Sequence, residues 1–145
     1  MKKFRNSYAA YMLLYSFYFM STSLFTTLIS VYLMGKHYSA TQVSTLVSVA
    51  FFLSMVAQPF FGYINERFGI VKMTTLSLSV IIGGVLGFLW APNLFWLTVF
   101  YGIVLVCLNG TAPMMEVFAT QSPYAFGKIR VWGTIGYSVG VQIAG

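Results

Sequence analysis

The chain has 145 residues, of which 59% are hydrophobic and 7% charged, and its formal net charge is +6. Average soluble domains carry about 25% charged residues, and a water-soluble protein this apolar would expose too much apolar surface to stay dispersed, so the composition points to an integral membrane protein. The positive balance does not make a nucleic-acid face, because the 8 Lys and Arg residues lie at the junctions between apolar runs.

The first apolar run spans about 8–34. Met1-Lys2-Lys3 resembles the n-region of a signal peptide, but the run that follows is roughly twice the length of an h-region and no A-x-A site closes it, so it reads as a retained helix. Tyr8, Tyr11, Tyr15, Tyr18, Thr22 and Thr26 follow steps of three and four, which puts them on one side of that helix. Tyr8 and Tyr11 fit an interfacial aromatic belt. Tyr18, Thr22 and Thr26 lie too deep for one, so their hydroxyls are expected to meet a neighbouring helix or water in a cavity. Lys36 and His37 follow in a loop.

Further apolar runs lie at about 43–64, 73–91 and 94–119, and like the first they exceed the ~17–20 residues that a helix needs to cross the hydrocarbon core. Lipid offers the backbone no hydrogen-bond partner, so each run is expected to be a helix. Between the second and third, "GYINERFGIVK" (residues 62–72) reads as a tight turn holding Gly62, Gly69 and the pair Glu66-Arg67. An anion at a helix C-terminus opposes the macrodipole, so Glu66 calls for compensation, from Arg67 or from the N-terminus of a helix not present in this chain. Gly83 and Gly87 form a G-x-x-x-G in the third run, and Ala91-Pro92-Asn93 is short enough to force a hairpin. The single Cys107 sits within the fourth run and reads as a small core residue.

The fifth run, 126–145, carries a face of Gly133, Gly136, Gly140 and Ala144. From Arg130 it has about 16 residues, or ~24 Å, and is read as a span cut off at Gly145. Lys2, Lys3, Arg5, Arg67, Lys72, Lys128 and Arg130 fall on one side if the helices alternate, against Lys36 on the other. That bias makes the first side, with the N-terminus, cytoplasmic in a multi-pass cell-membrane protein.

Glu116 is one of only 2 acidic residues in the chain. It lies about five residues before Gln121, ~7 Å along the helix axis, and Arg130 lies a similar distance beyond the "QSPYA" turn. The two opposite charges therefore sit at similar depth on adjacent antiparallel helices. A lone charge deep in a bilayer costs ~2.5–3.5 kcal/mol or more. Two readings of the pair stay open: both side chains snorkel to the cytoplasm, or they face a wet cavity as a substrate or proton site. Pro113 frees the carbonyl of Asn109 and can re-aim Glu116.

Residues 62–72 resemble the G-x-L-x-D-R-x-G-R-K loop between helices two and three of the major facilitator superfamily. Gly62, Ile64, Glu66, Arg67 and Gly69 fit, with Glu in place of Asp, and Lys72 keeps one of the basic charges. "NGTAPMMEVF" followed by "FGKIRVWGTIGY" is similar to the sugar–proton symporters typified by lactose permease and to the nucleoside and aromatic-acid permeases allied to them. The resemblance implies an all-α integral membrane fold. This chain would supply the N-terminal part of a six-helix half, as four full transmembrane helices and a truncated fifth. It implies a substrate site at Glu116, Arg130 and Tyr137, the last where the symporter has a Trp that stacks on sugar. Tyr18 and Thr22 line the cavity in this reading, and Gly62, Glu66, Arg67, Gly69 and Lys72 form the loop that helps set which face is open. The implied function is proton-coupled symport of a small polar solute such as a sugar or nucleoside by alternating access. The partners are the lipid bilayer, the solute and a missing C-terminal half; no cofactor is called for beyond the coupling proton, and no nucleic acid. Alone, the chain is not expected to transport.

Two other readings compete. A small four-helix multidrug exporter acting as a dimer suits the size, but such proteins carry their acid in the first helix. A non-transporting membrane subunit leaves the Glu116–Arg130 match unexplained. An enzyme is not expected, because the chain has no nucleophile–base set, and one loop His makes no metal site.

Overall fold

A computed structural model of the chain describes residues 7–145. Lys2, Lys3 and Arg5, on which part of the orientation argument rests, lie outside them. The described residues form five helices: α1 (Tyr8–Gly35), α2 (Ala40–Phe68), α3 (Ile70–Trp90), α4 (Leu94–Thr120) and α5 (Phe126–Ala144). The first four are long and apolar enough to cross a membrane. Large apolar side chains such as Phe52, Phe60, Trp90 and Phe95 stand exposed along them, as lipid-facing residues would.

Local chemistry sets the helix ends. The Ser7 hydroxyl accepts from the Ala10 N–H at 3.3 Å and starts α1. Its far end closes in a Schellman motif, with Tyr38 N–H on the Leu33 carbonyl at 3.3 Å and His37 N–H on that of Met34 at 3.0 Å. His37 occupies the left-handed position with φ 67°, where glycine is usual. So His37 is a helix stop as well as an exposed loop residue. Ser39 and Gln42 form a capping box that starts α2 three residues earlier than the apolar run alone indicates. Asn93 Oδ1 accepts from Trp96 N–H at 3.3 Å at the start of α4.

The segment 62–72 is not the tight turn expected from its composition. Gly62, Ile64, Glu66 and Arg67 continue α2, and Lys72 already belongs to α3. The whole reversal is one residue, Gly69, at φ 85° and ψ 139°, a conformation that a Cβ would strain. Nor does Arg67 neutralise Glu66. No ion pair joins them among the described residues, and the Arg67 guanidinium lies 5.9 Å from the Phe68 ring centroid instead.

The chain divides into two compact units: residues up to Tyr38 with Met115–Gly145, and Ser39–Met114. In the second, glycines admit side chains. A Cβ on Gly84 would come 2.6 Å from Val104 Cγ2, one on Gly87 2.5 Å from the Phe100 ring, and one on Gly110 2.5 Å from the Phe61 ring. Gly83 has nothing within 4 Å, so the small pair that α3 presents to α4 is Gly84 and Gly87 rather than the G-x-x-x-G read from the sequence. Polar groups in this unit pair with one another: Asn109 Nδ2 donates to Ser54 Oγ at 2.8 Å, and Thr74 Oγ1 to Met114 Sδ at 3.2 Å. α4 stays helical through Pro113.

In the other unit, α5 packs on α1 through its glycine face. A Cβ on Gly133 would come within 2.9 Å of the rings of Tyr15 and Phe19. One on Gly136 would collide with the backbone of Ser16, and one on Gly140 with Ser23 Oγ and the Met20 carbonyl. Ser16 Oγ donates across to the Trp132 carbonyl at 3.2 Å. The small face thus does what its spacing indicates, bringing two backbones together where larger residues would hold them apart.

Candidate functional site

The site forms where α4 ends and α5 begins. After Thr120 the chain reverses through a turn held by Ser122, whose hydroxyl donates to the Ala119 carbonyl at 2.7 Å and accepts from Tyr124 N–H at 3.3 Å. α1 is pinned to that turn by aromatic side chains. Tyr124 stands edge-on to Tyr8 at 5.3 Å and to Tyr11 at 6.2 Å. Tyr8 Oη accepts from Trp132 Nε1 at 2.8 Å and donates to the Lys128 carbonyl at 3.2 Å. Tyr8 and Tyr11 are therefore more than belt residues, and Trp132 gains a definite role in joining the two helices.

Held this way, α1, the end of α4 and α5 form a half-open cavity of about 310 Å³ lined by Tyr15, Phe19, Glu116, Arg130, Gly133, Thr134 and Tyr137. Ligand sites commonly occupy ~300–1,000 Å³. All seven residues belong to the same compact unit. Glu116 comes from the last turns of α4. Arg130, Gly133, Thr134 and Tyr137 follow steps of three, one and three and share one face of α5. Tyr15 and Phe19, one helical turn apart on α1, lie against Gly133, where the absence of a side chain lets their rings settle.

The two charges share this cavity but do not join. No ion pair links Glu116 to another described residue, and the Arg130 guanidinium lies 5.6 Å from the Phe126 ring centroid. Both side chains are exposed. An acceptor-only carboxylate and a planar five-donor guanidinium thus stand at one apolar-floored hollow with their hydrogen-bonding capacity unspent. Thr134 also makes no side-chain hydrogen bond among the described residues. Such a set suits a ligand that offers both donors and acceptors.

Of the five residues expected at the site, the structure brings Glu116, Arg130 and Tyr137 together. Tyr18 and Thr22 are not in the lining. Tyr18 is buried with its ring 5.2 Å from that of Phe19. Thr22 Oγ1 donates to the Tyr18 carbonyl at 2.9 Å, and Thr26 Oγ1 to that of Thr22 at 2.9 Å. The two deep threonine hydroxyls, expected to need a neighbouring helix or water, are satisfied by their own helix. Tyr15, Phe19, Gly133 and Thr134 line the cavity without being expected there from sequence. Part of the signal lies in their spacing: Gly133, Thr134 and Tyr137 fall three, four and seven residues after Arg130, and so on its helix face. Gly62, Glu66, Arg67, Gly69 and Lys72 lie in the Ser39–Met114 unit. No cluster of three metal-ligating side chains occurs among the described residues.

The MFS_1 like family model matches residues 8–145. The chain belongs to that family. It is a family of membrane transporters, not enzymes, so the resemblance to the major facilitator superfamily read from residues 62–72 and 109–137 is borne out. The chain is 28% identical over 156 aligned positions to the sucrose permease of Escherichia coli, a match that takes in 98% of this chain. It spans 38% of that relative's length. No solved structure matches the chain significantly.

Proposed function

We propose that this chain forms the N-terminal part of a proton-coupled symporter for a sugar, with Glu116 and Arg130 as the principal substrate contacts and a cytoplasmic N-terminus in the cell membrane. One observation carries the reading: two opposite charges, scarce in the chain, line a single cavity without pairing. Similarity to a sucrose permease supports a polyhydroxylated solute over a nucleoside. Arg130 donates to sugar oxygens, Glu116 accepts from sugar hydroxyls, and Tyr137, 44% exposed on the same face, offers a ring for stacking.

In the major facilitator fold, substrate sites lie between two halves that rock around them. In this reading, the second half supplies the opposite wall and the proton relay. The five-helix chain alone therefore accumulates no sugar against a proton gradient when reconstituted in vesicles. Gradient-driven uptake by the isolated chain would overturn that division of labour.

Sucrose binding to the full-length gene product tests the site. A hydrogen bond to a charged group contributes about 1.5–3 kcal/mol, so Glu116→Gln or Arg130→Lys weakens affinity roughly ten- to a hundredfold. Unchanged affinity in both variants refutes the assignment.

A further inference from the structure

Tyr15 is the one cavity residue whose polar atom is both buried and unused. The side chain is 1% exposed, and its hydroxyl has no hydrogen-bond partner in the protein. Yet it belongs to the wall that holds Glu116 and Arg130, within electrostatic reach of both. Buried hydroxyls are nearly always bonded, because leaving one unmade costs stability. Other deep hydroxyls of α1 obey the rule: Thr22, Ser23 and Thr26 each bond a carbonyl of their own helix. A phenol cannot do this, since its oxygen stands too far from its own backbone. A Phe would fill the same space against Gly133 without the penalty.

We propose that the Tyr15 hydroxyl is a specificity contact for the substrate, holding in reserve a hydrogen bond that is made to one sugar hydroxyl when the cavity is occupied. The proposal rests on the sugar-site reading given above. The hydroxyl is closed to solvent, so the sugar reaches it by displacing a wall side chain. Glu116 and Arg130, exposed and unpaired, have the freedom to move, and the sugar engages both. A bond absent in the empty protein and present in the occupied one contributes wholly to binding, whereas a bond already made in the empty state would contribute only the difference. The same logic makes the residue selective: a sugar lacking the matching hydroxyl gains nothing from Tyr15.

The test uses Tyr15→Phe in the full-length protein, with sucrose and a series of monodeoxy sucroses as probes. Tyr15→Phe is expected to weaken sucrose binding about tenfold. One monodeoxy sucrose binds wild type and Tyr15→Phe equally, while the others keep the tenfold gap. Without sugar, Tyr15→Phe melts no lower than wild type, because it removes an unsatisfied group and keeps the ring. A gap that is the same for every analogue, unchanged sucrose affinity, or a lower melting temperature without sugar overturns the proposal. Glu116→Gln, measured in parallel, separates the two levels. If it weakens sucrose binding while Tyr15→Phe does not, the site stands and only the Tyr15 contact falls. If neither variant matters, or wild type does not bind sucrose, the sugar-site reading falls with it.

Discussion

The two units of this chain use glycine in different ways. In Ser39–Met114, Gly84, Gly87 and Gly110 each make room for a side chain: Val104, Phe100 and Phe61. On α5, Gly136 makes room for the backbone of Ser16, and Gly140 for the Met20 carbonyl and the Ser23 hydroxyl. A side chain can rotate away from an added methyl, but a helix backbone cannot without moving the helix. The polar groups differ in parallel. In Ser39–Met114, Asn109 and Ser54 bond each other, and Thr74 bonds Met114. In the other unit, Tyr15, Glu116 and Arg130 surround a cavity with no hydrogen bond or ion pair to spend their polar atoms on. Neither region is wholly satisfied, since Asn65 Oδ1 in Ser39–Met114 is also buried without a hydrogen-bond partner. What sets the other apart is that its unspent polar groups converge on one cavity beside the least forgiving helix contact, the arrangement that the proposed site would need.

The sharpest way to break this contrast is Gly136→Ala. Its methyl has nowhere to go but into the α1 backbone, so a loss of about 3 kcal/mol or more is expected, seen as reduced folded yield and a lower melting temperature in detergent. A variant as stable as wild type would show that α1 and α5 are free to separate. Second come the charges. Glu116→Gln and Arg130→Lys should leave the melting temperature within error of wild type, because neither breaks an ion pair, while weakening sucrose binding roughly ten- to a hundredfold. A fall in stability that matched the fall in affinity would mean that the charges hold the fold.

Gly87→Ala comes next. Phe100 must turn away, at about 1–2 kcal/mol, whereas Gly83→Ala, with open space around it, should be neutral or stabilising by up to about 1 kcal/mol. Comparing the two melting temperatures decides which glycine faces α4, and the reverse order would refute the packing. The smallest effect belongs to Asn109→Ala. Interhelical hydrogen bonds in membranes average about 0.6 kcal/mol, so a shift near the limit of measurement is expected, with sucrose affinity unchanged.

Much of the site is legible in the order of residues. Glu116 and Arg130 lie at nearly equal distances from the "QSPYA" turn, and a short turn makes the flanking helices antiparallel, so counting residues is enough to place them together. The Gly133–Gly136–Gly140 face shows in the same way, as a spacing. The stripe on α1 is legible only as a stripe. Tyr15 and Tyr18 are three residues apart and equally polar, yet one lines the cavity and the other does not, because the position of α5 divides the stripe. The segment 62–72 misleads for a different reason. Its glycines and charges look like turn chemistry, but helical hydrogen bonding carries through Gly62, Glu66 and Arg67, and a single residue with a positive φ completes the reversal.

By itself, the sequence determined that the backbone would be helical and where the spans would fall. Lipid supplies no hydrogen-bond partner, and an apolar run of sufficient length has no other way to satisfy its peptide groups. It also determined that one acid and one base would lie at the same level beside the same turn. Only the tertiary structure decided that these charges stay apart, that Gly84 rather than Gly83 meets α4, and that the Tyr15 hydroxyl is buried in the cavity wall without a partner. Those outcomes depend on the rotation of each helix about its own axis, which is set by the packing of side chains from distant parts of the chain and not by the local order of residues.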